Sequence, residues 1–193
     1  MKILFAGGGT AGHINPALAV AGYIKERHPD AEISYIGTAD KLEAKLVPEK
    51  GYDFRTIDVA GFQRKISLKN IERNIKAVGK AFSSSADSKK ILKEIKPDLV
   101  VGTGGFVSGP VLREAHKLGL KTAIHEQNAF PGVTTKMLSR KADRVMLAMP
   151  EAEKYLKLKK KPVITGNPVR EELLRMSREE ARARLGLDNR PLI

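Results

Sequence analysis

The amino-acid sequence predicts an α/β fold, in which helices cover both faces of a parallel β-sheet. Short apolar runs alternate with helix-patterned stretches along most of the 193 residues, which is typical of parallel sheets. Two of the apolar runs end in glycine-rich segments, at residues 7–12 and 102–110, and each segment opens a helix pattern. Hydrophobic residues make up 41% of the chain, so it can bury the core that this fold requires.

The elements are predicted in order from this alternation. The apolar runs predicted as strands are residues 2–6, 32–36, 54–59, 99–102, 122–125, 144–148 and 163–165. Helix patterns begin near Pro16, Asp40, Leu68, Pro110, Thr134 and Glu151. Because proline has no N–H to donate, Pro16 and Pro110 are predicted to lie in first helical turns, where that donor is not needed. Gly119 is predicted to end the fourth of these helices.

The last thirty residues have a different character. A linker-like stretch at residues 166–170 precedes a charged helix, in which Ser177 and Glu180 have the spacing of a capping box and Gly186 marks the end. Residues 191–193 have the composition of a buried strand that is just beginning. We therefore expect one domain over residues 1–165, and over residues 166–193 a linker, a helix and the start of a second domain that is missing.

Composition limits the cellular setting and the partners. Cysteine is absent, which excludes disulfides and thiolate metal sites and is compatible with a reducing cytoplasm. We expect a soluble or peripheral protein, because no apolar run approaches the ~20 residues needed to span a bilayer. The net charge of +13 favours an anionic partner: nucleic acid, an anionic lipid surface or a phosphorylated small molecule. Aromatic residues are only 5% of the chain, which disfavours nucleic acid as the partner. Part of the positive charge can also belong to an ordinary solvated surface.

The glycine-rich turns predict an anion site. Glycine lets the backbone approach a ligand closely, and the first N–H groups of the following helix point at it, so a diphosphate is the expected guest. Gly7, Gly9 and Gly12 also fit the GxGxxG pattern of dinucleotide sites. That reading is disfavoured, because the acidic residue expected at the end of the second strand is absent there and Asp40 comes too late. His13, at the helix entrance, is a candidate general base or phosphate donor.

Four polar residues stand at the end of the fifth predicted strand: His125, Glu126, Gln127 and Asn128. Ligands of parallel sheets lie beyond the carboxyl ends of the strands, so these side chains are candidates for a site. The alternative is that His125 and Gln127 hold the loop backbone while only Glu126 and Asn128 face a ligand.

Four motifs together resemble the MurG family of glycosyltransferases. They are GGGTAGHINPALA at residues 7–19, GGFVSGP at 104–110, HEQNAFPG at 125–132 and GNPVR at 166–170, and the likeness covers essentially the whole chain. That family consists of peripheral membrane enzymes that move N-acetylglucosamine from UDP-N-acetylglucosamine onto lipid I, which gives the peptidoglycan precursor lipid II. The resemblance implies the Rossmann-like, acceptor-binding N-terminal domain of a two-domain GT-B transferase, without the donor-binding domain.

The same resemblance implies roles for individual residues. The N-terminal side of the UDP-sugar binding site is completed by Thr10, Ala11, Gly12, Asn128 and Arg170. The acceptor diphosphate is held by Gly8, Gly9, Gly104, Gly105 and Ser108. His13 is the implied catalytic base and Glu126 a second acidic candidate, and neither a metal nor a cofactor is required. Two residues depart from the family: Ala11 replaces a frequent glycine, and Phe106 replaces a frequent tyrosine, which removes a hydroxyl.

A basic, amphipathic stretch at residues 64–82 predicts membrane contact. Its apolar stripe is Leu68, Ile71, Ile75, Val78 and Phe82, and its basic flank is Lys65, Lys69, Arg73, Lys76 and Lys80. The stripe could instead pack against the sheet like any other helix. Because the resembled family docks through a similar patch, we expect peripheral attachment to the cytoplasmic face of the bacterial inner membrane.

Three functions remain open from the sequence. The chain is the acceptor-binding half of the lipid II-forming transferase, a natural membrane-recruiting subunit of a split transferase, or part of a different GT-B enzyme such as a nucleotide-sugar epimerase. The ending at Ile193 favours the first over the second, and the HEQN and GGFVSGP motifs disfavour the third.

Overall fold

A computed structural model describes residues 1–59, 83–170, 175–188 and 190, and it contains one parallel sheet. The strands are β1 (Lys2–Gly7), β2 (Glu32–Gly37), β3 (Asp53–Thr56), β4 (Leu99–Gly104), β5 (Lys121–Glu126), β6 (Arg144–Leu147) and β7 (Val163–Ile164). Their order in the sheet is β3-β2-β1-β4-β5-β6-β7, with every neighbouring pair parallel. The carboxyl ends of all strands therefore lie at one end of the sheet. The strand order reverses at β1, because β2 and β3 lie on one side of β1 and β4 to β7 lie on the other.

The strands are connected largely by helices. These are α1 (Ala11–Arg27), α2 (Glu43–Glu49), α3 (helical residues 83–95), α4 (Gly105–Lys117), α5 (Val133–Leu138), a 3₁₀ helix (Pro150–Tyr155) and α6 (Arg178–Arg184). The predicted capping box of α6 is confirmed, because the Glu180 N–H donates to Ser177 Oγ at 3.1 Å and the Ser177 N–H donates to the Glu180 carboxylate at 2.9 Å. Gly119, just after α4, has a φ of +72°, as a helix-ending glycine should.

Alternating strand residues divide the core between the two faces of the sheet. Phe5 points to the face covered by α1, where it packs with the buried Ile14. Leu4 and Val100 point to the opposite face, where α3 and α4 contribute buried side chains, among them Val111. Helices on both faces explain the nearly continuous apolar strands, and the predicted Rossmann-like α/β class is confirmed. Among the described residues, no helix is both long and apolar enough to cross a bilayer.

The prediction that Pro16 and Pro110 lie in first helical turns is wrong. The helices α1 and α4 begin at Ala11 and Gly105, so each proline is the sixth residue of its helix. The cause is that the glycine turns themselves wind into the first turns of these helices. Each proline therefore removes one internal hydrogen bond instead of sitting where none is needed.

Other predicted boundaries shift slightly. The third strand ends at Thr56 rather than residue 59, and the element predicted near Glu151 is the short 3₁₀ helix. The helix predicted near Leu68 and residues 191–193 lie outside the described residues. So do all the predicted membrane residues: Lys65, Lys69, Ile71, Arg73, Ile75, Lys76, Val78 and Phe82.

Candidate active site

The two glycine-rich turns touch each other at the carboxyl ends of the adjacent strands β1 and β4. Gly105 has a φ of +78°, and a Cβ atom there would lie 2.4 Å from the carbonyl oxygen of Gly8. Gly104 has a φ of +111°, and a Cβ atom there would lie 2.5 Å from Cδ2 of His13. Only glycine at both positions permits this approach. The two turns therefore meet, and the His13 ring lies at their contact.

Hydrogen bonds at one ring nitrogen orient the imidazole of His13. Its Nδ1 lies 3.0 Å from the Gly8 carbonyl oxygen and 3.3 Å from Oγ1 of Thr10. A carbonyl oxygen can only accept, so Nδ1 carries the proton when the ring is neutral. The lone pair then belongs to Nε2, on the side of the ring that faces Gly104. This is the protonation state that a general base needs.

The start of α1 offers backbone donors beside His13. Thr10 is the residue before the helix, and its side chain makes no capping bond there. The N–H groups of Ala11 and Gly12 lie in the first turn, where helix geometry gives them no acceptor, and both residues are exposed. Thr10, Ala11 and Gly12 thus form an accessible patch with a partial positive charge.

A buried carboxylate that the sequence analysis missed lies under the first turn. Glu43, in the first turn of α2, is fully buried and accepts a hydrogen bond from the Gly9 N–H at 3.0 Å. The Gly9 N–H points inward to Glu43, so it is not available to the acceptor diphosphate that Gly9 is predicted to contact. Gly8 is buried, whereas Gly9 is exposed and Gly104 and Gly105 are partly accessible.

Ser108 does not belong to the accessible surface of the site, contrary to prediction. It is 1% exposed, and its Oγ lies 2.6 Å from the carbonyl oxygen of Ala6 and 2.8 Å from that of Gly104. The same hydroxyl accepts the Gly104 N–H at 3.0 Å. One buried hydroxyl thus joins the end of β1 to the second glycine turn, so Ser108 stabilises the site from within.

The polar residues at the carboxyl end of β5 hold the backbone of neighbouring segments. The buried His125 donates from Nε2 to the carbonyl oxygen of Gly166 at 3.1 Å, and its Nδ1 accepts from the Gln127 amide at 3.0 Å. That amide also lies 3.0 Å from the carbonyl oxygen of Thr103. Burial lowers the pKa of His125, against smaller opposing effects of Gly166 and Glu126. This agrees with one half of the sequence-based alternative, in which His125 and Gln127 hold the loop. The other half does not hold for Glu126, which is expected to face a ligand but is 3% exposed.

Glu126 also holds its own loop. Its carboxylate is 3% exposed, and one oxygen accepts from the backbone N–H and side-chain amide of Asn128 at 3.1 Å and 2.9 Å. The other oxygen accepts the Gly132 N–H at 3.1 Å. Asn128 itself is exposed, while Arg170 is partly exposed and follows the segment that His125 holds at Gly166. Among the described residues, no cluster of three His, Asp or Glu side chains could hold a metal ion.

Comparison with known proteins agrees with this geometry. Residues 3–147 match the glycosyltransferase family 28 N-terminal domain. The chain belongs to this family. A relative from Acetivibrio thermocellus, named UDP-N-acetylglucosamine–N-acetylmuramyl-(pentapeptide) pyrophosphoryl-undecaprenol N-acetylglucosamine transferase, is 54% identical over 187 residues. The alignment covers 97% of this chain and 50% of the relative, so the chain spans about half the length of the curated relatives it matches.

The fold of this family 28 chain also resembles solved structures. The crystal structure of MurG from Acinetobacter baumannii superposes with a TM-score of 0.70 at 31% identity, over 86% of this chain and 46% of that one. The resemblance to the MurG family is thereby confirmed. A UDP-GlcNAc 2-epimerase from Neisseria meningitidis, bound to UDP-GlcNAc, gives a TM-score of 0.62 at 15% identity, over 90% of this chain and 49% of that one. At that identity, the second likeness concerns the fold alone.

Proposed function

We propose that this chain is the acceptor-binding half of an inverting glycosyltransferase, which moves N-acetylglucosamine from UDP-N-acetylglucosamine onto lipid I and yields lipid II. The observation that carries the proposal is the contact between the two glycine turns, with the imidazole of His13 packed against it. The relatives' name supports the substrates, since it specifies a UDP-sugar donor and a pyrophosphoryl-undecaprenol acceptor. A pyrophosphate is also the ligand that the backbone donors of the glycine turns favour.

His13 is the proposed base. Its Nε2 takes the proton of the acceptor 4-hydroxyl, whose oxygen attacks the sugar carbon that bears UDP, and the bond from that carbon to the diphosphate breaks. UDP leaves with the bonding electron pair, and the backbone donors of the first α1 turn stabilise its charge. The structure favours His13 over Glu126, because both oxygens of Glu126 already accept bonds from its own loop.

The remaining site residues have separate proposed roles. Thr10, Ala11 and Gly12 contribute donors to the UDP-sugar, with Asn128 and Arg170 approaching it from the segments after β5 and β7. Gly8, Gly104 and Gly105 shape the acceptor diphosphate site, and Phe106, which is 60% exposed, borders it without a hydroxyl.

Two further parts of the proposal concern partners outside the described residues. We assign the donor-binding domain to a C-terminal half that residues 166–193 introduce. We assign attachment to the anionic cytoplasmic face of the bacterial inner membrane to the basic, amphipathic stretch at residues 64–82.

The experiment supplies the missing donor-binding half, so that a two-domain enzyme can be assayed. The chain is joined to the C-terminal half of the Acetivibrio thermocellus relative, and transfer of labelled N-acetylglucosamine to a lipid I analogue is measured. We expect the chimera to transfer sugar and the 193-residue chain alone to show no turnover. His13→Ala in the chimera should lower the rate 10²-fold to 10⁴-fold, the range for a general base. His28→Ala, at an exposed position just after α1, is the matched control.

Two outcomes count against the proposal. Turnover by the chain alone would contradict its role as an acceptor-binding half. A chimera that works equally well with His13→Ala would remove His13 from the mechanism.

A further inference from the structure

We propose that Glu43 is a positioning residue for His13 and acts on it through the peptide group between Gly8 and Gly9. The proposal rests on the proposed function, since it gives this buried acid a role in preparing the base. Glu43 does not reach His13 directly. Its effect passes through a backbone unit of the first glycine turn.

Glu43 is built into the site as an acceptor of hydrogen bonds. It is 0% exposed, and one carboxylate oxygen accepts from the Gly9 N–H at 3.0 Å. The other oxygen accepts from the N–H and the Oγ1 hydroxyl of Thr38 at 3.1 Å and 2.9 Å. All three partners are donors, so the side chain acts only as an acceptor, as an ionised carboxylate does.

The close approach of Glu43 to the turn depends on two glycines. A Cβ atom on Gly8 would lie 2.2 Å from a carboxylate oxygen of Glu43, and one on Gly37 would lie 2.5 Å from its Cγ. The acidic side chain therefore passes between two positions that have no side chain of their own. Any other residue at Gly8 would push the carboxylate away from the Gly9 N–H.

The peptide between Gly8 and Gly9 connects Glu43 to His13. This peptide is trans, so its N–H and its C=O point in opposite directions. The N–H points to Glu43 at 3.0 Å, and the carbonyl oxygen lies 3.0 Å from Nδ1 of His13. A bond from an N–H to a carboxylate polarises the peptide and makes its carbonyl oxygen a stronger acceptor. The stronger acceptor keeps the proton on Nδ1 and leaves Nε2 free to act as the base.

The neighbouring phenol of Tyr35 adds no second charge beside Glu43. Tyr35 lies under the same turn, where burial first and the Glu43 carboxylate second raise its pKa. The phenol therefore stays neutral near Glu43 at physiological pH. The negative charge under the turn is that of Glu43.

The test reads the protonation of the His13 ring directly. The ¹⁵N-labelled 193-residue chain is studied by long-range ¹H–¹⁵N correlation at a pH of about 8, where ordinary imidazoles are neutral. We expect His13 to be protonated on Nδ1. His125 is the internal reference, because its bond to the Gly166 carbonyl oxygen requires the proton on Nε2 instead. A wild-type His13 protonated on Nε2 would overturn the proposal without any variant.

Glu43→Gln then removes the charge while keeping the shape. We expect the ratio of Nδ1-protonated to Nε2-protonated His13 to fall about fivefold to tenfold, the difference between a charge-assisted and a neutral hydrogen-bond chain. Thr38→Val is the matched control, because it removes one hydroxyl from the other carboxylate oxygen and leaves the bond to Gly9 in place.

Two results with these variants would overturn the proposal. An unchanged ratio in Glu43→Gln overturns the proposal, and so does an equal change in both variants, which would indicate a loosened pocket. Because the measurement concerns only the imidazole of this chain, it stands whether or not the chimera transfers sugar. A failed transfer assay would in turn leave the tautomer of His13 as measured.

Discussion

Gly105→Ala tests whether the two glycine turns are in close contact. The new Cβ would lie 2.4 Å from the Gly8 carbonyl oxygen and 3.2 Å from two further Gly8 backbone atoms, so the turns would have to separate by about 1 Å. An alanine at a φ of +78° costs about 1–2 kcal/mol, and overpacking against backbone adds about 1–3 kcal/mol. We expect a total destabilisation of about 2–5 kcal/mol.

Gly119→Ala separates the two contributions. Gly119 has a similar φ of +72°, but beyond its chain neighbours no heavy atom lies within 4 Å of the position of its Cβ, so only the backbone cost of about 1–2 kcal/mol applies. The free energy of unfolding is measured by urea denaturation followed by circular dichroism. With a urea m-value of about 2 kcal/mol per M, the midpoint of Gly105→Ala should lie roughly 0.5–1.5 M below that of Gly119→Ala. Equal midpoints would refute the close contact of the turns.

Three other expectations concern Ser108, His125 and the basic stretch at residues 64–82. Ser108→Ala should lower the free energy of unfolding by about 1–3 kcal/mol because the Gly104 N–H loses its buried acceptor, whereas Ser139→Ala, with longer bonds of 3.3 Å and 3.4 Å, should cost less in the same denaturation assay. Since the pKa of His125 is lowered in the folded chain, the unfolded chain binds a proton first, and stability should fall as the pH drops below about 6.5, by at most ~1.4 kcal/mol per pH unit. Thermal unfolding at several pH values should show a smaller slope for His125→Gln and no such change for the exposed His28→Gln; identical slopes in all three proteins would remove His125 as the cause. Replacing Lys69, Arg73 and Lys76 by Glu should weaken flotation with anionic vesicles, at ~1 kcal/mol per lost positive charge, and unchanged flotation would count against the membrane prediction.

The strands and the glycine turns could be predicted because their signals are local. An apolar run that ends in glycine marks the carboxyl end of a strand wherever it occurs, so the proximity of Gly8 and Gly105 required only that β1 and β4 be neighbours. Proline gave a misleading signal for a local reason. Its preference for first turns assumes a helix that begins at the proline, whereas at Pro16 and Pro110 the preceding glycine turn is already helical.

Glu43 could not be predicted from the sequence because its role depends on a contact across 34 residues. In the sequence it stands among alternating charged and apolar residues, where a glutamate is typical of a solvated helix face. The side chain is buried because β2 lies beside β1, which brings the start of α2 under the first glycine turn. The nearest local sign is Gly37 followed by Thr38, since a glycine and a donor at the end of β2 leave room and a partner for an acidic side chain.

One of the two edge strands of the described sheet, β7, affects how this chain behaves at high concentration. Val163 and Ile164 are 49% and 50% exposed, and a strand edge of this kind can recruit the strand of another molecule. Four lysines, Lys157, Lys159, Lys160 and Lys161, come shortly before it, so a second copy joining this edge would bring like charges together. With only two residues, β7 also provides a short template for such pairing. Salt weakens charge repulsion, so high ionic strength should remove much of this protection against self-association.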